Sequence, residues 1–258
     1  MAEAVQASPS VVSRQHSHSY PFFLLQVSRP GLWSTTTLFY LMPLGHAAIF
    51  HSGKLWLGLF YVLFPLGFLL YGVNDIVDAG ADSLNPRKGT FMFGSRGERE
   101  QLAALKWQIA MVQIPFVVVF YCFVGPGILW WYGLLLLAVG LYNAPGIGWK
   151  GRPPFDVLIQ ASYLLIFVLS SWLNNAAQLP WQTFLFGALF AMHSHIFGEV
   201  MDIEPDQLSG RRTTATLIGR VLAKFLMWGW NAAVLLGMFW NWTHSTLTHV
   251  VPAAGLRT

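Results

Sequence analysis

An all-α, polytopic transmembrane helical bundle of about seven spans around a central cavity is the fold class that the sequence predicts, and three observations carry it. Of the 258 residues, 55% are hydrophobic and only 10% charged, and the mean hydropathy is +0.51, which is unusual for a soluble chain of this length. The apolar residues gather into runs close to the about 20 residues that a bilayer demands. The charges, in turn, crowd into alternate connections between those runs, as expected of a chain threaded through a membrane.

Taken in order, residues 1–20 are polar and lack the apolar core of a cleavable signal, and they read as a disordered cytoplasmic tail. Residues 22–30 form an entry segment at the interface, in which Arg29 either anchors the chain or points into the cavity. The first two spans are expected over residues 31–50 and 55–74. His46 and His51, near the far end of the first, have no acid beside them and read as interfacial. Runs over 107–125, 127–142, 157–173, 181–197 and 221–240 complete the set. The transmembrane unit is thus expected over residues 21–240, with 241–258 as a tail.

The cations set the orientation. Arg14, Arg29, the basic residues from Arg87 to Lys106, Lys150, Arg152, Arg211, Arg212, Arg220 and Lys224 lie before the first span, in the connections after the second, fourth and sixth, or at span ends bordering them. Only Lys54 and Arg257 fall on the other side, so the amino terminus and those three connections are predicted to be cytoplasmic. Every carboxylate lies on that side too. The pI of about 9.3 therefore reflects topology and is not a sign of nucleic-acid binding. Cys122 is the one cysteine, which excludes disulfides and cysteine metal sites.

The chemistry is concentrated in Asn74-Asp75-Ile-Val-Asp78-Ala-Gly-Ala-Asp82, at the end of the second run. On a helix its three carboxylates share a face, where they repel one another unless solvated or neutralised by a cation. Oxygen ligands of this kind suit Mg²⁺, with Mn²⁺ also admissible. Glu199, Asp202 and Asp206 repeat the same spacing at the end of the sixth run, and Arg211-Arg212 follows them at the offset that Arg87-Lys88 holds in the first box. Two acidic boxes, each trailed by a basic pair, read as halves of one site for a metal-bound diphosphate, with Asp75, Asp78, Asp82, Glu199, Asp202 and Asp206 as candidate metal ligands.

Other residues are read against that site. Lys150 and Arg152, in the connection after the fourth span, either anchor the chain or contact phosphate, and Asp156 is placed to orient one of them. His195 precedes Glu199 by four residues, which permits zinc, but the acid-dominated surroundings favour a hard cation. Gln160, Ser162 and Tyr163 either line the cavity or bond a neighbouring helix, and the alternating charges from Arg96 to Glu100 read as a solvated helix start. A transporter using the acids as its ion site is the alternative from another class. It predicts acids near the bilayer midplane, not acids and bases gathered at one face.

At the two boxes the chain resembles the UbiA superfamily of intramembrane prenyltransferases. Asn74, Asp75, Asp78 and Asp82 match that family's first motif in full, Asp202 and Asp206 its second, and residues 142–156 its connection of tyrosine, proline and basic residues. The segments Asn85-Pro86-Arg87-Lys88-Gly89 and 201–216 are most similar to the lycopene elongase branch, which is itself similar to UbiA-type terpene cyclases. The resemblance implies Mg²⁺-dependent ionisation of a polyprenyl diphosphate within the membrane and transfer of the prenyl group to a lipophilic acceptor. Cyclisation of the same donor is the alternative. It further implies that Asn74, Arg87, Lys88, Lys150, Arg152, Arg211 and Arg212 hold the diphosphate and that Tyr71, Tyr142 and Phe197 present aromatic faces to an allylic cation. The family usually has nine spans, against seven expected here.

Overall fold

The structure, a computed structural model, describes residues 19–45 and 50–250 and is all-helical. Most of the amino-terminal tail, residues 251–258 and residues 46–49, which include His46, lie outside the described residues. Tyr20–Val27 (α1) leads through a 3₁₀ turn at Pro30–Leu32 into Trp33–Leu41 (α2). The first expected span is regular helix only that far, because Pro43 has no N–H to continue the ladder and the chain passes into a 3₁₀ turn, Met42–Leu44, ended by Gly45 at φ 44°.

Gly53–Leu63 (α3) and Pro65–Asp82 (α4) form one apolar rod of 30 residues, interrupted at Phe64 because Pro65 lacks a donor. Arg99–Val124 (α5) opens on a capping box in which Glu98 and Gln101 satisfy each other's backbone, as a solvated helix start should. From α5, the buried Gln113 braces the α3–α4 break: its amide donates to the Pro65 carbonyl at 2.6 Å and accepts from the Tyr61 hydroxyl at 3.0 Å.

Gly127–Asn143 (α6) is followed by an irregular entry to the fifth span: Phe155–Leu158 (α7), a 3₁₀ segment Ile159–Leu164, and Leu165–Asn174 (α8). Trp181–Leu208 (α9) is continuous. Thr214–Val250 (α10) is broken at Gly219, whose φ of 79° leaves the helical region, and it runs on past residue 240. Each of the seven apolar runs thus contains helix among the described residues, the first of them only as far as Leu44. Among the described residues, four rods are long and apolar enough to cross a membrane, Gly53–Asp82, Arg99–Val124, Phe155–Asn174 and Trp181–Leu208, and Gly127–Asn143 is a shorter apolar helix.

The interior is held by aromatic packing of Tyr61 against Phe116, Phe120, Trp131 and Tyr132. On the outside of α5, by contrast, Trp107, Met111, Ile114, Val118 and Tyr121 form an exposed stripe at helical spacing, a face suited to lipid. Close approach places α1 beside the first box: a Cβ on Gly67 of α4 would stand 2.7 Å from the Ser28 carbonyl oxygen. This contact brings Arg29, in the left-handed conformation at φ 52°, against the acidic end of α4.

Candidate active site

Both acidic boxes occupy the last turns of long helices, α4 and α9, and those turns meet at one end of the bundle. At roughly 100° per residue, Asn74, Asp78, Tyr71, Asp82 and Asp75 fall in that order across one arc of α4. The first four line a cavity of about 260 Å³, and Asp75, at the arc's edge, is turned away from it. Buried to 2% exposure, Asp75 accepts from the Ser95 hydroxyl at 2.8 Å and backbone N–H at 3.3 Å, from Lys88 Nζ at 2.8 Å, and from Arg29 at 3.4 Å. It therefore clasps the connection after α4 and the end of α1.

The other acids face the cavity, and all of them but Glu199 pair with a lysine or arginine of the chain. Lys88 also pairs with Asp82 at 2.6 Å. Asp78 accepts from Lys150 and, at 2.9 Å, from Arg211, whose other terminal nitrogen is 3.7 Å from Asp206. Arg211 thus joins the two boxes directly. A second link runs through Asp202, which accepts from Asn85 at 3.0 Å and Arg87 at 3.1 Å, both from the connection that follows the first box. Glu199 is held on one side by the Ala215 N–H at 3.0 Å. Its other oxygen is 3.1 Å from His195 Nε2 but outside hydrogen-bond angles, so it has no hydrogen-bond donor among the described residues.

Of the candidate diphosphate groups, Asn74, Lys88, Lys150 and Arg211 line the cavity, and Arg87 reaches it by way of Asp202. Arg152 instead donates to the Gly146 carbonyl at 3.3 Å, and Arg212 is exposed; neither lines the cavity. Burial pushes the Lys150 ammonium below its ordinary pKa, against the pull of Asp78. Burial also opposes the charge on Arg211, yet Asp78 and Asp206 outweigh it and raise that group. Tyr71, Tyr142 and Phe197 all line the cavity.

Several site residues were hidden from sequence reasoning. Arg29 takes the inward of its two readings, with its guanidinium carbon 4.4 Å from the centre of the Tyr71 ring. Arg96 is not simply solvated, because it donates to the Asn85 carbonyl at 2.7 Å and steadies the segment that holds Asp202. Asp156 orients neither neighbouring cation. It is fully buried and receives the backbone N–H and the hydroxyl of Thr214, fixing the start of α10. Asp156→Ala leaves that buried N–H without its acceptor and is expected to cost about 2 kcal/mol, read as a lower melting temperature in detergent.

The donor set fits Mg²⁺ bridged to a diphosphate. Among the described residues no three acidic or histidine side chains converge as a ready cage, but Mg²⁺ is ordinarily held by one or two carboxylates plus substrate phosphates and water. Asp78, Asp82, Asp202 and Asp206 offer oxygen atoms from both sides of one cavity, and Glu199 lines it as well. The cations that now neutralise these acids are also the ones placed to receive phosphate.

Residues 31–257 match the model of the UbiA prenyltransferase family. A lycopene elongase/hydratase from Corynebacterium glutamicum is 31% identical over 204 residues, covering 76% of this chain and 69% of its own. One from Haloarcula japonica is 28% identical over 236 residues, covering 89% and 79%. Among solved structures, a UbiA homolog from Archaeoglobus fulgidus bound to DMAPP and Mg²⁺ superposes with a TM-score of 0.60 at 20% identity, over 83% of this chain and 75% of that one. With the family's model matched over nearly the whole length and its fold shared, this multi-pass membrane protein belongs to the UbiA prenyltransferase family.

Proposed function

We propose that the protein ionises a prenyl diphosphate with the help of Mg²⁺ and transfers the prenyl group to a lipophilic polyene of the carotenoid class, working from the cytoplasmic side of the membrane. The observation that carries this reading is Arg211 spanning Asp78 and Asp206, so that one ligand placed there touches both boxes. The names of the elongase/hydratase relatives support the acceptor class.

Asp78, Asp82, Asp202 and Asp206 would hold the metal, with Glu199 as a further ligand, and Mn²⁺ would serve in its place. When bound, the ion supplies positive charge to the departing diphosphate. The chain's own part would be to exchange partners: with the acids holding the ion, Lys88, Lys150, Arg211 and Arg87 would be free to pair with phosphate oxygens, so that buried charge stays compensated. Asn74 adds an amide donor beside them. Above this polar end the cavity is walled by Tyr71, Tyr142 and Phe197, whose π faces stabilise an allylic cation, and by Leu32 and Phe39, which exclude bulk water there.

The test is mass spectrometry of products from purified protein given dimethylallyl diphosphate and lycopene. Prenylated carotenoid and released diphosphate are expected with Mg²⁺ or Mn²⁺, and neither with excess EDTA. Diphosphate release that persists in EDTA would remove the metal from the reading. A cyclic terpene formed from longer donors alone, with no prenylated acceptor, would replace transfer by cyclisation.

A further inference from the structure

The main cavity continues well beyond the acids. On α9 it is bordered by Asp202, Gly198, His195, Ser194 and Ala191, one face at helical spacing, and on α2 by Leu32, Thr35, Thr36 and Phe39. Asp202 and Ala191 are eleven positions apart on a continuous helix, so the bordered stretch of α9 extends about 16 Å away from the acids. At its far end Ala191 and Phe39 carry no polar side-chain atom, and Thr36 gives its hydroxyl to the Trp33 carbonyl at 3.1 Å.

There the cavity is closed by a ring with no room to withdraw. Phe39 is fully buried, and the centre of its ring stands 4.9 Å from that of Phe167 on α8 and 5.9 Å from that of Phe190 on α9. Phe167 is blocked in turn, by the Phe184 ring at 5.4 Å and by Gly187, where a Cβ would stand 2.7 Å from Phe167 Cε2. The backbone beside Phe39 is pinned as well. The Ser170 hydroxyl donates to the Tyr40 carbonyl, and the Asn174 amide donates to the Tyr40 hydroxyl at 3.0 Å. An interior packed in this way yields little to a ligand that presses on it.

We propose that Phe39 is the floor on which the donor's prenyl tail ends, so that this one ring sets the longest tail the site accepts. The proposal rests on the reading of the acids and cations as the diphosphate site. A measure of length needs one fixed end. The diphosphate, held between Asp78, Arg211 and Asp206, supplies it, and every tail then has the same distance to run before it meets Phe39. A polyene acceptor has no charged group to hold it at a set depth, so the same ring does not gauge its length. A tail too long for the distance either lifts the diphosphate from its cations or presses on a ring that is backed by two others, and both lower kcat/KM.

The experiment measures kcat/KM for Mg²⁺-dependent diphosphate release from dimethylallyl and from geranyl diphosphate, with lycopene present, in the wild-type protein, Phe39→Leu and Phe39→Ala, with melting curves to confirm folding and mass spectrometry of the products. Wild type is expected to prefer the shorter donor at least about tenfold, and the geranyl-to-dimethylallyl ratio is expected to rise about threefold in Phe39→Leu and about tenfold in Phe39→Ala. Equal use of both donors by wild type, or an unchanged ratio in Phe39→Ala, overturns the floor. If the alanine variant does not hold its fold, an unchanged ratio in Phe39→Leu overturns it equally. Because the ratio is read in diphosphate release, wild-type protein that releases diphosphate without prenylating lycopene refutes the proposed acceptor and still tests the floor. Protein that releases no diphosphate from either donor refutes the diphosphate site, and the floor with it.

Discussion

Asp78→Ala and Asp202→Ala are each expected to reduce Mg²⁺-dependent diphosphate release about a thousandfold, equivalent to about 4 kcal/mol of transition-state stabilisation. Asp78 sits where α4 meets the cations of two other connections, Lys150 and Arg211, and Asp202 is where the first connection reaches α9 through Asn85 and Arg87. On the proposed reading, removing either carboxylate would withdraw a ligand from the ion and release the cations it positions. The measurement is phosphate release after pyrophosphatase coupling, in protein shown by its melting curve to remain folded in detergent. Activity within tenfold of wild type in either folded variant would sink the metal assignment. Asp75→Asn makes an informative contrast. Asp75 faces Ser95, Lys88 and Arg29, away from the cavity, so its loss is expected to lower stability first and to leave the Mg²⁺ concentration for half-maximal activity unchanged.

Arg211→Lys is expected to lower kcat/KM for the prenyl diphosphate about a hundredfold, although charge is conserved. The guanidinium reaches Asp78 with one terminal nitrogen and Asp206 with the other; an ammonium on a flexible stem offers a single point and cannot span both while facing phosphate. Arg212, one residue on, is exposed and lines no part of the cavity, and Arg212→Ala is expected to stay within about twofold of wild type. Initial rates over a donor concentration series separate the two. Wild-type kcat/KM in Arg211→Lys would mean that the bridge between the boxes plays no part in binding the donor.

Local pattern made much of the architecture legible. A run of uncharged residues near bilayer length reads the same wherever it sits, and each of the seven runs contains helix among the described residues. Failures came where backbone chemistry interrupts hydropathy. Pro43 and Gly45 end the first helix inside an apolar run, and the fifth span begins as an irregular turn and a 3₁₀ segment before Leu165. Neither interruption alters hydropathy, so a window average passes over both.

For the site, helical spacing was enough to place Asp78 and Asp82 on one face and to pair that box with Asp202 and Asp206, because periodicity along a single helix is a property of the sequence itself. It was not enough to separate Asp75 from them, to send Arg29 inward onto Tyr71, to set Asp156 under the start of α10, or to tell Arg211 from Arg212. Each of those outcomes depends on where a connection of Gly, Pro and polar residues crosses the bundle and which donor it presents there. The sequence by itself determined the membrane-spanning helices and the acids at their ends. Only the tertiary structure decided which acids face the cavity and which cation answers each one, since a buried carboxylate takes its partner from whatever segment packs over it, and that segment lies up to 133 residues away, as Arg211 does from Asp78.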